Sequence, residues 1–215
     1  MKLYGYWRST AAYRVRIALH LKGIPFESVA VNLRQGEQRS PQFLALNPQG
    51  LVPTLVDGPA VISQSLSIVE YLEETHPAPP LLPAAPAARA RARQIALAVA
   101  ADLHPLANPR VLRYLEFVLE ADAGAQEAWR HHWLATELDA VERLVDGDGP
   151  YALGERVGLA DLCLVPQLYS ARRFAFPLDA FPCLRRVEAA CAELPAFRAA
   201  RPEVQADAAA MAGSA

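Results

Sequence analysis

The stretch Tyr6-Trp7-Arg8-Ser9-Thr10-Ala11-Ala12-Tyr13-Arg14-Val15-Arg16-Ile17-Ala18-Leu19 decides how the rest of the chain is read. A short apolar run, Lys2 to Gly5, precedes it and reads as a first strand. After it, Tyr13, Ile17 and Leu21 recur at the spacing of one helix face, while Arg14, Arg16, His20 and Lys22 fall largely elsewhere on the wheel. Gly23 stops the helix. Between strand and helix stand two hydroxyls, Ser9 and Thr10, placed to cap the first turn. The open N–H groups of a helix start also attract an anion. A hydroxyl aimed there can donate to a thiolate and lower its pKa from about 8.5. No cysteine lies nearby, so the thiolate must come from a ligand.

Working outward, Phe26 to Leu33 reads as a second strand and Ser40-Pro41 as a helix start, with serine at the cap and proline at the first helical position. Phe43, Leu44 and Leu46 form that helix's inner face, and Asn47-Pro48-Gln49-Gly50 is a turn. Leu51 to Val56 is a third strand interrupted by Pro53. A proline inside a strand removes a ladder bond, so either this is an edge or the Val52–Pro53 bond is cis and turns the Val52 backbone towards a ligand. Asp57-Gly58 signals a hairpin, answered by a fourth strand from Pro59 to Ile62. Gln64-Ser65 then opens a helix, with Ile68, Val69 and Leu72 on one face, that ends at Pro77. Ser65 is placed as a cap. A cap with free amides is also a carboxylate site, and Gln64 beside it could hold an ammonium or amide.

The order β-α-β-α-β-β-α over residues 1–77 is thioredoxin-like, a parallel βαβ unit followed by an antiparallel hairpin. Pro77, Pro79, Pro80, Pro83 and Pro86 mark residues 78–86 as a stiff linker. Residues 87–215 read as all-helical, over Ala87–Leu106, Arg110–Glu120, Gln126–Val145, Leu159–Ala175, Cys183–Leu194 and Ala196–Arg201, with a frayed tail from Ala212 to Ala215. The fold class is therefore α/β followed by all-α.

Composition narrows the function. The net charge is −2, and Arg89, Arg91 and Arg93 supply only one helix face of positive charge, so nucleic acid is not an expected partner. No apolar run approaches the ~18 residues of a membrane span, and Met1-Lys2-Leu3-Tyr4 reads straight into a strand without a signal peptide. Three cysteines, Cys163, Cys183 and Cys191, make no CxxC and read as core residues in a reducing, cytoplasmic compartment. The adjacent His131 and His132 cannot share a helix face and read as solvated; no metal site is expected.

Trp7-Arg8-Ser9-Thr10-Ala11-Ala12-Tyr13-Arg14-Val15-Arg16-Ile17-Ala18-Leu19 closely resembles the signature of zeta-class glutathione transferases, commonly Arg-Ser-Ser-Cys-x-Trp-Arg-Val-Arg-Ile-Ala-Leu. The resemblance continues through Ala45–Leu55, Gln64–Glu74, Asp102-Leu103-His104-Pro105-Leu106 and Ala160–Gln167, almost the whole chain. It implies a C-terminal helical glutathione-transferase domain and a homodimeric glutathione enzyme, the family of maleylacetoacetate and maleylpyruvate isomerases. In such an enzyme a thiolate adds reversibly to a cis double bond flanked by carbonyls, leaving a single bond that rotates. The resemblance places Ser9 as the thiolate-stabilising serine, with Thr10 and Arg8 beside it. It places Val52, before Pro53, at the cysteinyl backbone of glutathione, with Gln49 and Leu51 also among the glutathione-binding residues, Gln64 and Ser65 at the γ-glutamyl site, and His104 near glutathione and substrate. Arg173 matches an arginine at the substrate's carboxylate end, and Arg8 and Arg110 are further candidates for a dianionic diketo acid.

Two departures stand out. Ala11 replaces the signature cysteine, which shapes activity towards other, halogenated substrates. Gly158 stands where most transferases carry Ser or Thr, three residues before Asp161, at a cost of a few tenths of a kcal/mol. Maleylpyruvate isomerases often carry paired arginines after the His motif, whereas Pro109 here precedes a single Arg110, so maleylacetoacetate is the leading substrate. The stretch Ser170-Ala171-Arg172-Arg173-Phe174 and the non-cysteine Ala11 point to maleylpyruvate as the alternative. Arg172 itself reads as a surface residue. Further alternatives are a general detoxifying transferase and a transferase-like module that only binds; the hydroxyl of Ser9 argues against the last.

Overall fold

The computed structural model describes residues 1–212. Two compact units make up the chain: Met1–Leu81 with the carboxy-terminal segment from Ala192, and Leu82–Cys191. The carboxy-terminal helices thus group with the strands, whereas the sequence reading placed them in the helical domain.

In the first unit four strands, β1 (Lys2–Gly5), β2 (Glu27–Ala30), β3 (Thr54–Asp57) and β4 (Ala60–Ser63), form one sheet in the order β2-β1-β3-β4. Strand β1 runs parallel to β2 and antiparallel to β3, and β3–β4 is a hairpin. Strand β1 has the expected bounds, β2 and β3 are shorter than the runs that signalled them, and β4 lies one residue later than expected. Pro53 lies just before β3 rather than inside it, so it removes no ladder bond. The hairpin loop is Gly58-Pro59, one residue later than expected, because Asp57 pairs with Ala60.

Helices α1 (Thr10–Leu21), α2 (Pro41–Leu46) and α3 (Ser65–Thr75) surround the sheet. A Cβ on Gly5 would sit 3.3 Å from the Ala12 Cβ, which places the Leu3/Gly5 side of β1 against α1. Tyr4 points the other way and meets Phe43 of α2, ring centroids 6.3 Å apart. Ser40 caps α2, its Oγ accepting from the Phe43 N–H, with Pro41 at the first position as expected.

Helix α1 is buried far beyond the one predicted face. Its Arg14 and Arg16 are 2% and 3% exposed. A full-circle buried helix belongs to a core element, and its charges persist only with partners. Arg16 donates to the carbonyls of Trp7 (2.9 Å) and Ala200 (3.0 Å). Just after the helix, the buried Lys22 ammonium spends its three protons on Glu73 (2.7 Å) and the carbonyls of His76 (2.7 Å) and Pro79 (3.0 Å). Glu73 in turn accepts from the Leu81 N–H. The expected stiff linker is therefore fastened to the first unit as far as Leu81; its Ala78–Pro79 bond is cis, as is Val52–Pro53 just before β3.

The second unit contains α4 (Pro86–Leu97), a π-helical segment (Ala98–Leu103), α5 (His104–Leu106), α6 (Pro109–Phe117), α7 (Ala123–Leu144), α8 (Leu159–Arg173) and most of α9 (Pro182–Ala192). Pro105 cannot donate to the carbonyl four residues back, which accounts for the irregular winding before it. Helix α8 is central, buried without a break from Leu159 to Leu168. Its N-cap is Gly158, with no side-chain cap, so Asp161 does the capping: its carboxylate accepts from Gly158 N–H and Ala152 N–H, both at 2.8 Å. Of the cysteines, Cys163 and Cys191 are buried; Cys183, at the start of α9, is only half-buried.

Beyond Ala192, α10 (Pro195–Ala200) packs on α1, and α11 (Ala206–Ala212), which was not anticipated, follows a short 3-10 turn at Pro202–Val204. The expected frayed tail lies outside the described residues except for Ala212, which ends α11.

Two outcomes are expected for stability. Gly50 sits at φ +61° with a would-be Cβ 2.8 Å from the Gln38 carbonyl, whereas Gly23 (φ +63°) faces open space. Gly50→Ala is therefore expected to cost roughly 1–3 kcal/mol more than Gly23→Ala by urea unfolding. Burial lifts the Asp161 carboxyl to about 6 despite its two N–H donors. The native state then holds that proton from about pH 4 to 6 while the unfolded chain releases it, so this group's contribution is full below pH 4 and lost as pH rises through 6. Asp161→Asn, which cannot titrate, should lose an N–H acceptor at about 1–3 kcal/mol. The wild-type advantage over it should shrink between pH 4 and pH 7; an advantage that grows would contradict the assignment.

Candidate functional site

The tight turn Tyr6–Ser9 is closed by the Ser9 N–H on the Tyr6 carbonyl at 2.9 Å. Both polar groups of the Trp7 backbone inside it are fixed from outside. Its carbonyl accepts from Arg16, and its N–H donates to the Asp207 carboxylate of α11 at 2.9 Å. Ser9 then caps α1, its Oγ accepting from the Ala12 N–H at 3.2 Å. That bond uses an oxygen lone pair and leaves the hydroxyl proton to be donated. Ser9 is partly exposed, whereas Thr10 is buried as the first residue of α1 and does not share the cap. Arg8, beside it, lies with its guanidinium carbon 5.2 Å over the Trp7 ring. Ala11 is the second residue of the helix.

A second cluster forms around the start of α3. Gln64 is its N-cap, at φ +71° and ψ 117°, and gives it no side-chain cap. A non-glycine residue held there costs of order 1–3 kcal/mol and marks a functional constraint more often than chance. Its amide donates to Gln49 Oε1 at 2.8 Å, joining two residues fifteen apart that the sequence singled out. Ser65 is not the cap, as expected from its position, but the first helical residue; it is buried and its Oγ accepts from Arg14 at 3.3 Å. The first turn of α3 therefore starts without a side-chain cap, beside the buried Arg14 guanidinium.

Between these clusters runs the segment Asn47 to Pro53. Asn47 organises it, its side chain accepting from the Gln49 N–H and donating to the Leu51 carbonyl. That leaves the Val52 backbone without a hydrogen-bond partner among the described residues, just before the cis bond to Pro53. Ser9, Gln49, Val52, Gln64 and Ser65 all belong to the first unit.

In the second unit, His104 follows the π-helical segment and is partly buried. Arg110 is exposed in the first turn of α6, whose cap is Asn108. Arg173 ends α8, exposed, 5.4 Å over the Phe174 ring. Arg172 is exposed and paired with Glu188, as a surface residue should be. The start of α7 was missed in the sequence. Trp129 Nε1–H donates to the Leu106 carbonyl at 2.8 Å, and Arg130 lies 4.9 Å over the same Phe174 ring as Arg173. His131 is not solvated: it contacts the Phe174 carbonyl at 3.2 Å and sets its edge against Phe176. His132 is exposed, as expected.

Comparison with known proteins agrees with this geometry. Residues 3–80 match the model of the glutathione S-transferase N-terminal domain. The chain is 51% identical over 210 residues to a maleylacetoacetate isomerase of Pseudomonas aeruginosa, covering 96% of this chain and 98% of that one. It is 48% identical over 212 residues to a maleylpyruvate isomerase of a Ralstonia species, covering 97% and 100%. A maleylacetoacetate isomerase from Methylobacterium extorquens, solved with malonate and glutathione, superposes with a TM-score of 0.93 at 42% identity over 97% of this chain and 99% of that one. With a serine-capped first helix, an uncapped third helix and full-length relatives of this kind, the chain belongs to the zeta class of the glutathione transferases.

Proposed function

We propose that this protein is a glutathione-dependent cis–trans isomerase acting on maleylacetoacetate, a step in tyrosine and phenylalanine breakdown. The observation that carries the reading is Ser9: a partly exposed hydroxyl at a helix N-terminus, its oxygen engaged by Ala12 N–H and its proton available to a ligand. The residues of the first unit fit glutathione as a cofactor. Its α-carboxylate matches the uncapped amides of α3 with Ser65, and its γ-glutamyl amine matches the joined amides of Gln64 and Gln49. Its cysteinyl backbone matches the unpaired Val52 N–H and C=O, next to Pro53 and Leu51.

When bound, glutathione supplies a thiol whose thiolate adds reversibly to the cis double bond, allowing rotation to the trans isomer. The protein's own part is electrostatic. Ser9 donates to the sulfur, and the N-terminus of α1 adds its partial positive charge, so the ionised thiol is favoured near neutral pH. A dianionic diketo acid needs cations, both for its carboxylates and for the negative charge that builds on a carbonyl oxygen. Arg8, adjacent to Ser9 in the chain, is a candidate for that role. His104, Arg110 and Arg173 keep the roles that the resemblance implies, contacts to glutathione or substrate, and Thr10, being buried, supports the turn. The same reading carries a homodimer and a cytoplasmic location, where reduced glutathione is abundant. No helix among the described residues is long and apolar enough to cross a membrane.

Maleylpyruvate is the second candidate substrate, given the 48% identity to a maleylpyruvate isomerase. Glutathione-dependent isomerisation of the two acids, followed side by side by ultraviolet absorbance, is expected to favour maleylacetoacetate; clear preference for maleylpyruvate reassigns the substrate. Ser9→Ala should lower turnover by roughly 10²-fold with the fold intact; turnover within twofold of the parent would place thiolate activation elsewhere. Arg173→Ala should raise KM for the dianion more than KM for glutathione, and an unchanged KM for the dianion would remove Arg173 from the site.

A further inference from the structure

We infer that Asp207, in the carboxy-terminal helix α11, is a positioning residue for the Ser9 hydroxyl, acting through the backbone of Trp7. The inference rests on the glutathione reading above. Three observations carry it. The Asp207 carboxylate accepts the Trp7 N–H at 2.9 Å across 200 residues of sequence. The other polar group of that residue, its carbonyl, is held by buried Arg16, which also grips the Ala200 carbonyl just ahead of α11. Ala208, the neighbour of Asp207, packs with Tyr6 and Trp7, and Val52 and Leu33 pack on the same cluster. One short segment thus backs both the turn that presents Ser9 and the Val52 backbone.

The turn Tyr6–Ser9 is closed by the Ser9 N–H on the Tyr6 carbonyl; the Trp7 carbonyl belongs to its central peptide, Trp7–Arg8, and the Trp7 N–H to the peptide that enters it, Tyr6–Trp7. Arg16 therefore holds the central peptide and Asp207 the entering one, and loss of the Asp207 acceptor frees the Tyr6–Trp7 peptide to reorient, carrying the turn and Ser9 with it. The charge of Asp207 does not explain its presence, because a carboxylate close to a forming thiolate disfavours it. What Asp207 supplies is a hydrogen-bond acceptor at a fixed place. Asparagine retains such an acceptor and alanine does not, so the two substitutions separate geometry from charge.

The test titrates the thiolate absorbance of bound glutathione in wild type, Asp207→Ala and Asp207→Asn, alongside hydrogen exchange at the Trp7 amide of each free protein. Asp207→Ala is expected to hold about tenfold less thiolate at pH 7, to lower kcat several-fold with KM for the dianion unchanged, and to speed Trp7 exchange. Asp207→Asn should restore all three. Wild-type thiolate and kcat in Asp207→Ala, or an Asp207→Asn variant as impaired as the alanine, overturns the inference. Should Asp207→Ala fail to fold, Asp207→Glu, whose carboxylate is displaced by one methylene, must show the thiolate loss; wild-type behaviour there overturns it equally. If wild type itself shows no thiolate on binding glutathione, the failure belongs to the glutathione reading.

Discussion

The buried guanidinium of Arg16 is the interaction on which the first unit depends. It lies in a helix whose neighbouring positions are almost all buried, so its charge has to be answered inside the protein. It is answered by two backbone carbonyls, Trp7 from the start of the chain and Ala200 from near its end. Those two bonds tie the carboxy-terminal segment, which groups with the sheet from Ala192 onward, to the strand-to-helix turn. Replacing one partner would leave a desolvated charge, a penalty far larger than the net worth of either bond. A buried cation with backbone acceptors is therefore less a source of stability than a device that allows one arrangement of the turn.

That arrangement prepares two helix starts in different ways. Helix α1 begins with a serine cap that satisfies one amide and keeps a proton to give away. Helix α3 begins with a residue at positive φ that caps nothing, while the serine that would have capped it is turned inward to Arg14. A folding protein gains about 1 kcal/mol from capping a helix and usually takes it. Declining the cap at α3, and accepting a strained Gln64 besides, makes sense where a carboxylate later occupies those amides. The two starts together suit a molecule with a thiol at one end and a carboxylate at the other.

Much of this was legible in the sequence because it rests on local chemistry. Ser40-Pro41, the hairpin near Asp57-Gly58, the strand order and the odd proline at position 53 each carry a short-range signal that tertiary packing did not override. The burial of α1 was not legible from periodicity, since Arg14 and Arg16 look like solvated charges until their long-range partners are known. For the same reason Asp207 passed unnoticed: a lone acid in an alanine-rich run gives no sign of an amide two hundred residues away. His131 was misread because its partner is the backbone carbonyl of Phe174, invisible in any side-chain pattern. Ser65 was misread by one position, since nothing in Gln64-Ser65 announces a positive φ at the glutamine.

In the proposed function the Ser9 hydroxyl, held by this turn, stabilises a thiolate on bound glutathione. The most direct measurement is a pH titration of thiolate absorbance with glutathione bound to the wild-type protein and to Ser9→Ala. A thiol pKa well below the free value of about 8.5 is expected in the wild type, returning towards that value in Ser9→Ala while glutathione still binds. The same depressed pKa in both proteins would contradict it.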